Sequence, residues 1–118
     1  MKKIYVCSKV VGDEAMNTAK AYRYARFVAT KCGQIPICPQ IYFPEILMWS
    51  EMDPQYIKQA SMELLRGCDE FWYFGDGVTM DMVNLLLMAR EMNIPTRHIS
   101  DKEMEQYPVQ TKNKIGGK

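Results

Sequence analysis

Short strand-like segments alternate with longer helical segments along most of this chain, and the alternation restricts the possible folds more than any other feature. Four segments are predicted as strands because they are short and rich in β-branched or aromatic residues: 3–8, 35–39, 71–74 and 94–99. Strands that are separated by helices pair in parallel, since each connection crosses back over the sheet. The sequence therefore predicts an α/β fold: a single-domain, doubly wound parallel sheet of four to five strands with flanking helices.

Helices are predicted between these strands from apolar periodicity and from end signals. The first spans about residues 14–31, while Asp53-Pro54 and Thr79 are typical N-terminal signals for two further helices. The segment 40–52 between the second strand and the second helix is aromatic and is predicted to be irregular. The inward side of the first helix is predicted to carry Thr18, Ala21, Tyr22, Ala25, Val28, Ala29 and Cys32.

Length and charge exclude several classes of function. With 118 residues the chain is expected to form one domain, at 1–108, followed by a flexible C-terminal tail at 109–118. Fifteen basic and fourteen acidic residues give a formal charge of +1, which provides no basic field for nucleic acid or an anionic membrane. No segment has the roughly 20 apolar residues of a membrane span. The first strand begins almost at Met1, which leaves no room for a signal peptide, so a cytoplasmic protein is expected.

The cysteines and the single histidine give no sign of metal chemistry. The four cysteines are spread along the chain without a Cys-x-x-Cys pair, and His98 has no second histidine with which to share a metal. No metal site is expected, and the cysteines are interpreted as reduced, buried thiols. No cofactor is predicted either, because the dinucleotide-like run 75–80 has Met80 in place of its third glycine and the chain has no P-loop motif.

Functional residues are expected in the loops that follow the strands, because ligands of doubly wound sheets bind beyond the carboxyl ends of the strands. Three segments qualify, 8–13, 39–43 and 75–81. The candidate ligand-binding residues in these segments are Ser8, Lys9, Gly12, Asp13, Gln40, Phe43, Asp76, Gly77, Thr79 and Asp81.

Several of these side chains allow two interpretations. The carboxylates of Asp76 and Asp81 would repel a phosphate and suit sugar hydroxyls or base N–H groups; alternatively, they stabilise a turn and a helix N-terminus. Lys9 is either a point charge for a phosphate or carboxylate or an ordinary solvated lysine. Gln40 either hydrogen-bonds a base edge or caps a loop.

The segments 3–8, 35–44 and 64–76, together with Asn17 and Ala21, form a recognisable pattern. Its most specific part is the run Cys-Asp-Glu-Phe-Trp-Tyr-Phe-Gly-Asp that ends the third segment. The pattern covers about residues 3–99 and resembles the DUF4406-type proteins, small bacterial and phage proteins that are similar to nucleoside 2-deoxyribosyltransferases. The resemblance implies a flavodoxin-like parallel sheet, a nucleoside or nucleotide pocket and frequent assembly into oligomers.

In the transferases that this chain resembles, a glutamate on the helix after the third strand attacks the anomeric carbon of the sugar. Aligned on Ala89 and on Asn93-Ile94-Pro95, that position holds Leu85, which joins the candidate ligand-binding residues. Leucine cannot act as a nucleophile, so no catalytic residue is assigned; Asp81, one helical turn earlier, is the only nearby carboxylate that could substitute. The family pattern also often has a histidine where this chain has Gln40.

The helix at 80–92 carries apolar side chains on nearly every side. A helix of this kind is buried on more than one face. In a small domain the second face is expected to meet another subunit, so a homo-oligomer formed through this helix is predicted; an unusually deep internal helix is the alternative.

Three functions are consistent with these features. The leading hypothesis is a protein that binds a nucleoside, a nucleotide or a nucleotide-derived signal in a deoxyribosyltransferase-like pocket without the usual nucleophilic glutamate. The first alternative is an active N-glycosidic enzyme, a deoxyribosyltransferase or nucleoside hydrolase, that uses Asp81. The second is a protein-interaction module that docks a partner through its apolar helix and the aromatic segment 42–49.

Overall fold

Four parallel strands form the central sheet of the computed structural model, which describes residues 1–107. The strand order is β2-β1-β3-β4, the arrangement of a flavodoxin-like doubly wound sheet, which confirms the predicted fold class. The predicted flexible tail at 109–118 lies outside the described residues. The strands are β1 (Lys3–Cys7), β2 (Ile35–Ile37), β3 (Glu70–Phe74) and β4 (Thr96–Ile99).

Within residues 1–107, five α-helices connect and flank these strands. Their N-caps are largely polar: Asp13, Asp53, Thr79 and Ser100 each accept a hydrogen bond from a backbone N–H in the first turn. None of the helices in residues 1–107 is long and apolar enough to cross a membrane. The helices are α1 (Glu14–Thr30), α2 (Pro39–Ile46), α3 (Pro54–Arg66), α4 (Met80–Glu91) and α5 (Asp101–Gln106).

The side chains of the strands alternate between two core clusters, one on each face of the sheet. Along β1, Ile4 and Val6 point toward α1 and α5, whereas Tyr5 and Cys7 point toward α3 and α4. The first core cluster consists of Ile4, Val6, Tyr24, Phe27, Val28, Cys32, Trp72, Phe74, Ile99 and Met104. The second consists of Tyr5, Cys7, Leu65, Cys68, Phe71, Met82, Ala89 and Ile94.

The segment predicted to be irregular, 40–52, is largely helical. It contains most of α2 and a 3₁₀ turn at Trp49–Glu51. Pro39 stands at the first position of α2, where its missing N–H costs nothing, and Phe43 is only 3% exposed against the rest of the protein. Burial of Phe43 stabilises this helix although Pro44 lies within it.

Two strand boundaries and one helix face also differ from the prediction. The second strand stops before Pro39, which begins α2, and the fourth starts after Ile94, whose N–H still bonds to the Ala89 carbonyl at the end of α4. The buried side of α1 is rotated toward Tyr24 and Phe27, while Tyr22 is exposed and bonds to Glu45. The residues of α1 that are buried are Asn17, Ala21, Tyr24, Phe27 and Val28.

The chain leaves the two central strands in opposite directions. After β1 it enters α1, on the face of the first core cluster, and after β3 it enters α4, on the face of the second. In open parallel sheets such a reversal leaves a crevice beyond the carboxyl ends of the two strands. The fold therefore directs attention to the loops after Cys7 and after Phe74.

Candidate functional site

A cleft of about 190 Å³ lies at this reversal point. Its walls come from the loop after β1, one side of α1, the end of β3 with its following loop, and the first residue of α5. The lining residues are Ser8, Lys9, Asn17, Lys20, Tyr24, Phe74, Gly75, Asp76, Gly77 and Asp101.

The side chains of Ser8 and Gln40 hold the loop after β1 in place. The buried Ser8 hydroxyl donates to Gln40 Oε1 at 2.9 Å, and Gln40 Nε2 donates to the Lys9 carbonyl oxygen at 3.0 Å. Both ends of the Gln40 amide are therefore occupied inside the protein. Of the two interpretations of Gln40, this geometry is that of a loop cap.

Asn17 lines the cleft, and hydrogen bonds fix the orientation of its side-chain amide. Its side chain is buried, and its Nδ2 donates to the carbonyl oxygens of Val10 and Val11, each at 3.2 Å. Carbonyl oxygens only accept hydrogen bonds, so the amide orientation is fixed by its partners. Both hydrogen bonds of this side chain within residues 1–107 use Nδ2, so Oδ1 remains an acceptor.

The turn after β3 is held from two sides. Gly75 has a φ of +98°, and a Cβ at this position would lie 3.2 Å from the hydroxyl of Tyr24. His98 Nε2 lies 2.7 Å from the Gly75 carbonyl oxygen, which requires the proton on Nε2. The His98 ring stacks on Tyr73 with centroids 4.8 Å apart. His98 thus acts as a support for the Gly75 turn.

Tyr24, Asp101 and Arg23 form a polar group beside this turn. The Tyr24 hydroxyl donates to Asp101 Oδ1 at 3.0 Å, and Arg23 Nη2 lies 3.2 Å from the same oxygen. Burial, followed by the hydrogen bond to Asp101, raises the pKa of Tyr24 to about 12. The phenol is therefore protonated at neutral pH, and Asp101 is an ion-paired acceptor.

The cysteines near the site are unsuited to nucleophilic chemistry. Burial raises the pKa of the Cys7 thiol to about 12 and that of Cys38 to about 11. Both are protonated thiols at neutral pH, and the thiolate is the nucleophilic form. All four cysteines are free; Cys7, Cys32 and Cys68 are buried as predicted, whereas Cys38 is only partly buried. Within residues 1–107, no three His, Cys, Asp or Glu side chains are close enough to bind a metal ion together.

The structure brings part of the predicted site together. Ser8, Lys9, Asp76 and Gly77 line the cleft, and Gln40 is one hydrogen bond away from it. Gly12 and Asp13 precede α1, where Asp13 caps the helix through the Met16 N–H and does not line the cleft.

Four predicted residues lie away from the cleft walls. Phe43 is buried beside Tyr42 and Tyr56, with ring centroids 5.3 and 6.0 Å away. Thr79 caps α4 by accepting from the Met82 N–H. Asp81 is exposed on the first turn of α4. Leu85 is partly buried and packs against the second core cluster, whereas the cleft contacts residues of the first. The candidate positions Phe43, Thr79, Asp81 and Leu85 are thus separate from the lining residues.

Four polar lining residues were missed by the sequence prediction: Asn17, Lys20, Tyr24 and Asp101. Three of them recur along α1 at spacings of three and four residues, which places them on one side of the helix that follows β1. That spacing was the available signal. Asp101 follows the fourth strand, at the same edge of the sheet as the segments selected from the sequence.

The fold is that of the nucleoside deoxyribosyltransferases. It is similar to a 2-desoxiribosyltransferase from Leishmania mexicana, with a TM-score of 0.64, 15% identity and coverage of 85% of this chain and 65% of that chain. A conserved protein from Enterococcus faecalis V583 matches with a TM-score of 0.64, 18% identity and coverage of 83% and 62%, respectively. A 2-deoxyribosyltransferase from Bacillus psychrosaccharolyticus matches with a TM-score of 0.51, 16% identity and coverage of 83% of this chain and 72% of that chain. This chain thus spans less than two thirds of the first two proteins.

The family is also defined by sequence. Residues 2–99 match the family model described as "Domain of unknown function (DUF7768)", and the chain belongs to this family. The narrower DUF4406-type assignment is not confirmed, because the matching model is a different one. No curated protein matches the chain.

Proposed function

We propose that this protein binds a nucleoside or a nucleotide in the cleft beyond β1 and β3 and does not cleave it. The carrying observation is the position of the cleft at the reversal point of the sheet, lined by polar groups that the fold already holds in place. The fold shared with proteins named as 2-deoxyribosyltransferases supports a ligand that contains a sugar and a base.

The polar groups of the cleft suit such a ligand. Asn17 Oδ1 and the carboxylates of Asp76 and Asp101 are acceptors for sugar hydroxyls or base N–H groups. Ser8 and Gln40 act indirectly, because their hydrogen bonds to each other and to the Lys9 carbonyl hold the loop that forms one wall.

The absence of cleavage is proposed from the side chains that would have to act. The resemblance to the transferases places Leu85 at the position of their nucleophile, but a hydrocarbon side chain cannot attack a sugar carbon. Leu85 also packs against the second core cluster and does not line the cleft, so the helix α4 supplies no nucleophile from this position. Tyr24 and Cys7 have pKa values raised to about 12, so neither is available as an anion at neutral pH.

Binding is tested by isothermal titration of the protein with the common ribonucleosides, 2′-deoxynucleosides and their 5′-monophosphates. We expect at least one of these compounds to bind, and Asp76→Ala to weaken that binding about tenfold by removing an acceptor. Asp81→Ala is the matched control, because it removes a carboxylate five residues further along the chain that does not line the cleft. This control should leave the affinity unchanged. If none of these compounds binds, the proposal is refuted.

The catalytic alternative is tested separately by measuring free base released from the same nucleosides. We expect none above the uncatalysed rate. Release that disappears in Asp81→Asn would instead establish an N-glycosidic enzyme that uses the carboxylate of Asp81, which is exposed on the first turn of α4.

We also propose that two copies of this chain associate through α4. Met80 is 73% exposed and Leu87 is 50% exposed, so these two apolar side chains of α4 are not covered within the described part of the chain, although Met82 and Ala89 are buried. A second copy is the occupant expected of a self-complementary apolar helix face.

Protein binding is a second candidate function, favoured by the exposed aromatic segment after β2. Tyr42, Met48 and Trp49 are all exposed, the last by 85%. Exposed large apolar side chains that cluster on one segment are typical of interaction surfaces. If this segment is the main site, Trp49→Ala should abolish partner binding and leave titration with nucleosides unaffected.

A further inference from the structure

Two lysines line the cleft. Lys20 lies on α1, one turn after Asn17, and Lys9 lies in the loop after β1. The Lys9 side chain folds back over Gly12: its Cε and Nζ lie 3.6 and 3.9 Å from the point where a Gly12 Cβ would stand. The Lys9 ammonium is therefore held near the start of α1.

The charges of the cleft do not cancel once the ion pairs are considered. Two lysines and two aspartates line it, but Asp101 is already paired with Arg23, which lies outside the lining, at 3.2 Å. Among residues 1–107, neither Lys9 nor Lys20 forms a salt bridge. Two cations thus face one uncompensated carboxylate, that of Asp76, and the cleft has an unmet preference for an anion.

The size of the cleft limits which part of a ligand it can hold. Pockets for complete small-molecule ligands commonly measure about 300–1,000 Å³. At about 190 Å³ this cleft is smaller, so it suits the sugar and its substituent better than a whole nucleotide. The anion that the lysines require is then expected on the sugar itself.

We propose that the ligand is a nucleoside 5′-monophosphate whose phosphate is bound by Lys9 and Lys20. This inference rests on the proposed function and narrows it from nucleosides in general to phosphorylated ones. The phosphate monoester carries about −1.5 to −2 charges near neutral pH, which the two ammonium groups compensate. The sugar hydroxyls then bond to Asp76 and to Asn17, which line the same cleft.

Titration of each nucleoside beside its own 5′-monophosphate tests the inference. We expect the monophosphate to bind at least tenfold more tightly than the nucleoside, and this advantage to shrink as NaCl is raised from 50 to 500 mM. The double variant Lys9→Gln/Lys20→Gln should reduce the affinity for the monophosphate to that for the nucleoside. Lys58→Gln, which removes an exposed lysine on α3, is the control and should preserve the advantage.

The outcomes separate this inference from the proposed function. Equal affinities for nucleoside and monophosphate would overturn the phosphate assignment and leave nucleoside binding intact. An advantage that persists in the double variant would also overturn it, because the phosphate would then lie elsewhere. Failure of every compound to bind would overturn both proposals. Thermal melting of each variant confirms that the altered lysines, both exposed, have not changed the fold.

Discussion

The hydroxyl of Ser8 donates a 2.9 Å hydrogen bond to the side-chain oxygen of Gln40. This bond joins the carboxyl end of β1 to the first turn of α2, two elements that are 32 residues apart in sequence. The second end of the Gln40 amide bonds to the Lys9 carbonyl oxygen, which fixes the loop at the cleft wall. Gln40 is therefore a positioning residue whose loss should affect the loop before it affects any ligand contact.

Replacing Gln40 with leucine tests this role. Gln40→Leu keeps much of the volume but leaves the buried Ser8 hydroxyl and the Lys9 carbonyl without their partner. We expect the free energy of unfolding to fall by about 1–3 kcal/mol, measured by urea denaturation. Gln59→Leu, the same change at an exposed position of α3, should alter it by less than about 0.5 kcal/mol. Similar values for both variants would contradict the assigned role.

The two glycines of the turn after β3 should respond differently to alanine. Gly75 has a φ of +98°, and a Cβ there would make a tight 3.2 Å contact with the Tyr24 hydroxyl, whereas a Cβ on Gly77 would meet nothing within 4 Å. Gly75→Ala is expected to destabilise the protein by about 1–3 kcal/mol through backbone strain. Gly77→Ala should be close to neutral in the same thermal or urea melts. If both variants melt like the wild type, the turn is not constrained as described.

Leu85 and Leu87 offer a matched pair on α4. Leu85 packs against the second core cluster, while Leu87 is half exposed. We expect Leu85→Glu to lower the free energy of unfolding by about 2 kcal/mol, because a carboxylate is placed against apolar side chains. Leu87→Glu should have a much smaller effect. Neither variant is expected to release base from nucleosides; release by Leu85→Glu would show that this position reaches a bound sugar.

Much of the order of strands and helices could be predicted because β1 and β3 are marked by dense apolar runs, and α3 and α4 by the N-cap signals Asp53 and Thr79. The helix α2 could not be predicted in this way, because it is stabilised by burial of Phe43 against the rest of the protein. Its local sequence, which includes Pro44, does not favour a helix.

The candidate site was predictable only where it lies immediately after a strand. Ser8 and Asp76 follow β1 and β3 directly, so the topology of a parallel sheet brings them together. The spacing of Tyr24 from Asn17 and Lys20 places it on their side of α1, but its hydrogen bond to Asp101, 77 residues away, depends on the exact rotation of α1 against the sheet and could not be predicted. When the buried side of a helix is predicted with the wrong rotation, a pair such as Tyr24 and Asp101 is not recognised.

Burial of Tyr24, together with its hydrogen bond to Asp101, should make the free energy of unfolding depend on alkaline pH. Folding raises the pKa of Tyr24 from about 10 to about 12. The contribution of Tyr24 to the free energy of unfolding is therefore complete below pH 10 and is lost as the pH rises through 12. Near pH 7, Tyr24→Phe should be less stable than the wild type by about 1–2 kcal/mol. The difference between the two proteins in urea denaturation is expected to narrow between pH 10 and 12. A difference that stays constant over this range would exclude the assignment.

Self-association through α4 predicts that a charge on its exposed face dissociates the protein. Met80 is 73% exposed at the start of this helix, and Met48 is 65% exposed in the segment after α2. Two copies of Met80→Lys would place like charges against apolar side chains at the proposed interface, so we expect the dissociation constant of the dimer to rise at least tenfold. Met48→Lys adds the same charge elsewhere and should leave the dimer unchanged. Sedimentation velocity over a range of concentrations measures both. A wild-type chain that is monomeric at every concentration would rule out the interface, and a dimer disrupted by Met48→Lys instead would move it to the aromatic segment.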